Sequence, residues 1–124
     1  MLIPYIVEQF LDSQCRVVRV KDLAPSRDYV YISDAIEGII LASHAASGSV
    51  FNIGSGTTYT VEEIITRVSK ASGICKPYRA TGQKRPHEID QTCADIAAFR
   101  KSVGWSPEIS IDKGLRLVIE SMRQ

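Results

Sequence analysis

The chain has 124 residues, enough for one hydrophobic core and too few for two, and its 44% hydrophobic and 23% charged residues argue against both a disordered and a membrane-spanning protein. Fifteen Lys+Arg against fourteen Asp+Glu leave a net charge of +1, so there is no global field to hold nucleic acid and any anion site must be local. The three cysteines, Cys15, Cys75 and Cys93, form no C-x-x-C pair and lack a neighbouring histidine, which argues against zinc and fits free thiols in a cytoplasmic protein; the amino terminus also has no basic start of a secretory leader.

Apolar residues at Ile3, Ile6, Val7, Phe10 and Leu11 share one helical face, which predicts a first helix over roughly 3–13. Residues 15–20 read as a short strand and 29–32 (YVYI) as a second, with Tyr29 and Tyr31 sharing one face and Val30 and Ile32 the other. A second helix follows over 33–46, opened by Ser33 and Asp34 and carrying Ile36, Ile39 and Ile40 on one side. Residues 50–53 (VFNI) are strand-like, and Gly54-Ser55-Gly56 turns the chain.

Thr60-Val61-Glu62-Glu63 has the form of a capping box for a third helix that Gly73 ends. After a strand-like 77–80 come a polar loop through Asp90 and a short helix from about 95 to 103, closed by Gly104. Ser110 caps a last amphipathic helix whose face is Ile111, Leu115, Val118, Ile119 and Met122, and Trp105 is expected to pack on it. The sum is an α/β pattern of about five helices and a few short strands. It is a single domain over 1–124 and reads as part of a fold, because the long aliphatic strands of a complete doubly wound sheet are missing.

The sequence contains no G-x-G-x-x-G or G-x-x-G-x-x-G after an opening strand, so no dinucleotide cradle is expected, and no tyrosine is followed three or four residues later by a lysine. Gly54 and Gly56 are followed by a helix only from Thr60, and a tight turn explains them better than a phosphate loop. His87, Glu88 and Asp90 crowd one loop, but no second ligand cluster joins them, so no metal is expected.

Four stretches occur in order: Arg27-Asp28-Tyr29-Val30-Tyr31-Ile32-Ser33-Asp34, then 50–56 (VFNIGSG), then Asp95 through Gly104-Trp105-Ser106-Pro107, then Gly114-Leu115-Arg116. Together they resemble the second half of the extended short-chain dehydrogenase/reductases, the NAD-dependent sugar-nucleotide epimerases and dehydratases. The resemblance implies that Arg27 points its guanidinium at a nucleotide diphosphate, with Arg85, or its neighbour Lys84, as a second cation and Glu88 contacting the ribose. A planar guanidinium fork suits phosphate oxygens. For Arg27 the competing reading is a surface arginine paired with Asp28 or Asp34, and for Arg85 a solvated basic loop. Asn52 can reach a nucleotide or bond its own backbone.

Two departures from the family, Ser33-Asp34 in place of two acidic residues and Lys21-Asp22-Leu23 in place of Gly-Asp-Gly, leave the base unnamed. The resemblance therefore implies a substrate-binding part that grips a nucleotide-sugar weakly and is inactive without an NAD-bearing Rossmann half; no cofactor is expected on this chain. The alternative is a self-associating or partner-docking module that reuses the scaffold. In the family the second helix and 51–53 pack beside the Rossmann half, so their exposure here predicts a homo-oligomer or a Rossmann-domain partner.

Overall fold

The computed structural model describes residues 1–84 and 86–124. Along them run α1 (Leu2–Leu11), β1 (Val18–Val20), β2 (Ser26–Asp28), α2 (Ile32–Ala42), β3 (Thr58–Thr60), α3 (Val61–Ser72), β4 (Tyr78–Ala80), β5 (Gln91–Thr92), α4 (Ala97–Val103) and α5 (Ile111–Arg123). This is the expected α/β arrangement. β1 pairs in parallel with β4, while β2 lies between antiparallel β3 and parallel β5.

Helix ends form where local chemistry asks for them. The Thr60 side chain accepts from the Glu63 N–H at 3.1 Å and the Glu63 carboxylate accepts from the Thr60 N–H at 2.7 Å, so two of the donors orphaned at the start of α3 are satisfied. Gly73 and Gly104 end α3 and α4 in the left-handed region, at φ 72° and 70°, where a Cβ would be strained. Ser110 caps α5 by accepting from the Lys113 N–H.

The main core joins one face of α1 (Ile6, Val7, Phe10) to β1 (Val18, Val20), α3 (Ile64, Ile65, Val68) and α5 (Leu115, Ile119). Each of these side chains contributes about 1.5–3 kcal/mol by leaving water. The Gln9 side chain then takes the place of a missing strand partner for β1, donating to the Arg19 carbonyl at 3.1 Å and accepting from the Arg19 N–H at 2.8 Å. Arg67 on α3 grips Asp112 on α5 with two bonds of 2.7 and 2.8 Å, and its guanidinium lies 4.8 Å from the Tyr59 ring centre. Because Asp112 is half exposed, this pair fixes register more than it adds stability.

A second, smaller core stacks Phe51 on Phe99 and Phe99 against Trp105, with ring centres 4.9 and 5.2 Å apart. Trp105 therefore packs on α4 and beneath α2, not on the last helix. Gly38 makes room for it, since a Cβ there would come within 3.1 Å of Trp105 Cε2.

Further expectations shift. The strand expected at 29–32 lies at 26–28, and α2 begins at Ile32 with Tyr31 as its N-cap. The expected first strand over 15–20 shrinks to Val18–Val20, because the Cys15 N–H turns back onto the Asp12 carbonyl at 3.1 Å. Residues 50–53 join no ladder among the described residues. The second helix ends at Ala42, not 46; its isoleucine face is exposed as expected, with Ile36 and Ile39 at 51% and 61%, whereas Phe51 and Ile53, expected to be exposed with it, pack against the second core.

Candidate functional site

β2 carries the site because it is held on both edges. Ser26 pairs with Thr60 on one side and Gln91 on the other, and Arg27 pairs with Tyr59 and Thr92. The Ser26 N–H also donates to the Asp90 carbonyl at 2.8 Å, which draws the 88–90 stretch alongside the strand. Arg27 is anchored at one end of its guanidinium, where Nη1 donates to the Ser26 carbonyl at 2.8 Å and reaches the Asp90 carbonyl at 3.5 Å. Its other terminal nitrogen, Nη2, donates to Glu88 Oε1 at 2.6 Å. Sequence reasoning offered Asp28 or Asp34 as a surface partner for Arg27. Both are committed elsewhere, and the ion pair forms with Glu88 instead.

Asp28 is a junction that sequence reasoning missed. Its Oδ1 accepts from the Ser55 N–H and Oγ–H at 2.7 and 2.6 Å, and its Oδ2 from the Gly56 and Ala94 N–H groups at 2.9 and 3.1 Å. The carboxylate thereby ties β2 to the Gly54-Ser55-Gly56 turn and to the segment that follows β5. Gly54 must lack a side chain for this to happen: a Cβ there would sit 2.5 Å from Ala94 Cβ and 2.8 Å from Asp28 Oδ2. The turn does not fit a dinucleotide pyrophosphate, because the backbone donors that would cradle phosphate are already spent on Asp28. No short-range signal links Asp28 to a turn so far along the chain. Asp34, expected as an opening residue of α2, is buried and accepts from the Ile109 N–H at 2.9 Å, fixing the approach to α5.

A cleft of about 1100 Å³ opens in front of this strand, walled by Leu2 and Pro25, by Tyr29 and Tyr31, and by Arg27 and Glu88. Arg19, Lys21 and Asp22 also line it, as do Ser110, Ile111, Gly114 and Leu115 at the start of α5. Its walls are largely apolar with a few charged groups, which is the make-up of a small-molecule site. The size suits a ligand with an aromatic or sugar ring, and the cations suit an anionic portion. Burial pushes the Tyr29 phenol above its ordinary range against the opposing pull of the Arg27 charge.

The residues singled out from sequence separate in space. Arg27 and Glu88 meet on the cleft wall. Asn52 lies in a second concavity of about 670 Å³, shared with Arg27, Asp28 and Phe51, and its Nδ2 donates to the Asp95 carbonyl at 3.2 Å. It bonds a distant backbone, not its own. Arg85 lies outside the described residues, and its neighbour Lys84 is exposed. Cys15, Cys75 and Cys93 carry free thiols, and the described residues contain no group of three or more His, Cys, Asp or Glu placed to hold a metal ion. Among the described residues no helix is long and apolar enough to cross a membrane.

Comparison with known proteins places this geometry. Residues 1–118 match the family described as GDP-mannose 4,6 dehydratase. The UDP-glucose 4-epimerase of Bifidobacterium longum is 36% identical over 89 residues, which cover 69% of this chain and 26% of that protein. GDP-6-deoxy-D-mannose reductase of Pseudomonas aeruginosa is 26% identical over 108 residues, covering 86% of this chain and 36% of the relative. The crystal structure of the Bifidobacterium longum epimerase in complex with NAD+ and UDP superposes with a TM-score of 0.87 at 26% identity, covering 99% of this chain and 39% of that one. The chain thus spans between about a quarter and a third of the length of these two curated relatives. With its helices and short strands reproducing one part of those enzymes and its sequence matching their profile almost end to end, the chain belongs to the NAD-dependent sugar-nucleotide epimerase/dehydratase family of extended short-chain dehydrogenase/reductases.

Proposed function

We propose that this chain is the part of a sugar-nucleotide epimerase or dehydratase that grips the nucleotide-sugar, with its cleft taking the nucleotide and Arg27 holding the diphosphate. The observation that carries this reading is Arg27 itself. One terminal nitrogen is held by the Ser26 carbonyl, the other pairs with Glu88, and both side chains line a large, mostly apolar cleft. Two phosphoryl charges must be desolvated on binding, and a charge-assisted bond to a guanidinium contributes about 1.5–3 kcal/mol toward that cost. Arg85, or Lys84 beside it, supplies a second cation in this reading.

The chemistry belongs to a Rossmann half that binds NAD, whose role when bound is to accept and return a hydride. This chain contributes positioning: it holds the diphosphate and seats the sugar. Two features support a docking surface for that half. The isoleucine face of α2 is exposed, and residues 50–53 have no strand partner among the described residues, with Val50 89% exposed while Phe51 and Ile53 pack on the second core. An apolar helix face beside unpaired backbone is a surface that a sheet edge can complete. The same surface supports the second reading, a module that self-associates or docks to a partner through it.

A thermal-shift panel of UDP-, GDP-, CDP- and dTDP-sugars on the purified chain tests the first reading. Stabilisation by at least one of them, dependent on Arg27, is expected. No shift with any of the four favours the docking module.

A further inference from the structure

Taking Arg27 as the diphosphate residue, we propose that Glu88 is a built-in competitor for the same guanidinium, a carboxylate that occupies the Arg27 fork at rest and that the incoming diphosphate must displace. The geometry is that of a stand-in for a phosphate oxygen: a negatively charged acceptor 2.6 Å from Arg27 Nη2, on the wall of the cleft, with 31% and 24% of the two side chains exposed. The other end of the guanidinium cannot swing away to offer a second face, because Nη1 is held by the Ser26 carbonyl at 2.8 Å. Glu88 is kept close by the backbone, since the Asp90 carbonyl two residues on accepts from the Ser26 N–H at 2.8 Å and β5 runs parallel to β2. An anion arriving through the cleft therefore meets a charge already in place.

The exchange is carboxylate for phosphate, with no proton or bond made or broken. Its consequence is selectivity by charge. A singly charged ligand offers Arg27 little more than Glu88 does, whereas a diphosphate brings two charged groups and several acceptor oxygens to the fork. The resting pair also spares Arg27 an unpaired, partly buried charge while the cleft is empty.

Inorganic pyrophosphate is the informative probe, because it has charge but neither ribose nor base, so any sugar contact of Glu88 drops out. Calorimetric titration of the purified chain should show Glu88→Gln binding pyrophosphate about five-fold tighter than the parent, the size expected when a partly exposed ion pair no longer competes. Glu88→Ala is a second variant with the same expected direction, and adding Arg27→Ala to either should remove the gain. Pyrophosphate affinity equal to or weaker than the parent's in both Glu88 variants would overturn the proposal. UDP and GDP titrated in parallel separate the two levels. If their binding depends on Arg27 while the Glu88 variants gain nothing for pyrophosphate, only the competitor falls. If Arg27→Ala leaves both nucleotides bound as before, the reading of the site falls with it.

Discussion

Replacing Asp28 by asparagine keeps the side-chain volume and changes only its charge and donor pattern, which isolates what the carboxylate contributes to the site. One oxygen accepts from Ser55 twice, at 2.7 and 2.6 Å, and the other from Gly56 and Ala94 at 2.9 and 3.1 Å. In the Asp28→Asn side chain an NH2 group takes the place of one oxygen and faces donors, so two of those bonds lose their acceptor. An unsatisfied donor costs about 1–3 kcal/mol where water cannot reach it, and Gly56 is exposed enough for partial relief, so a total of about 2–3 kcal/mol is expected. At about 4 °C per kcal/mol for a chain of 124 residues, the melting temperature should fall by about 8–12 °C. Circular dichroism melts read this directly. Nucleotide affinity should fall as well, because Asp28 fixes the strand that carries Arg27. An Asp28→Asn variant melting within about 2 °C of the parent would refute the role assigned to the junction.

Three further outcomes follow from the same structure. Gly54→Ala should cost about 1–3 kcal/mol in urea unfolding, because its Cβ would press within 2.5 Å of Ala94 Cβ. The Tyr29 phenol, raised by burial above 10.0, holds its proton more tightly folded than unfolded. Stability from it is therefore complete below about pH 10 and is lost as pH rises through the folded pKa, and Tyr29→Phe should flatten that alkaline decline in a pH-stability profile. Ile39→Lys on the exposed face of α2 should leave folding stability within about 0.5 kcal/mol yet lower the mass measured by light scattering; an unchanged mass would remove the face from self-association.

Much of the fold was legible because it rests on local chemistry. The capping box at Thr60, the left-handed glycines at 73 and 104 and the Ser110 cap each mark a helix end within a few residues of sequence. Strands were harder to place, since a three-residue strand has almost no period to read. All four residues of the alternation Tyr29-Val30-Tyr31-Ile32 line the cleft, with Val30 also packed on the small aromatic core, and the ladder forms just before them. The strand-like 50–53 has the composition for pairing but no partner among the described residues. The apolar stripe of α2 was evident in the sequence, and its exposure was expected from the family resemblance, but the packing of Phe51 and Ile53 into the small core was not. Of the site, Arg27 and Glu88 were singled out separately. Their ion pair spans 61 positions and depends on β2 and β5 lying side by side, and Asp28 depends equally on a turn brought back from residues 55 and 56. No local pattern encodes either.

The central claim is that Arg27 holds a nucleotide diphosphate in the cleft, and calorimetric titration of the parent and Arg27→Ala with UDP and GDP tests it most directly. Loss of one charge-assisted contact predicts at least about ten-fold weaker binding of the nucleotide that the parent prefers, and Arg85→Ala should weaken it comparably. Superimposable titration curves for Arg27→Ala and the parent would contradict the account.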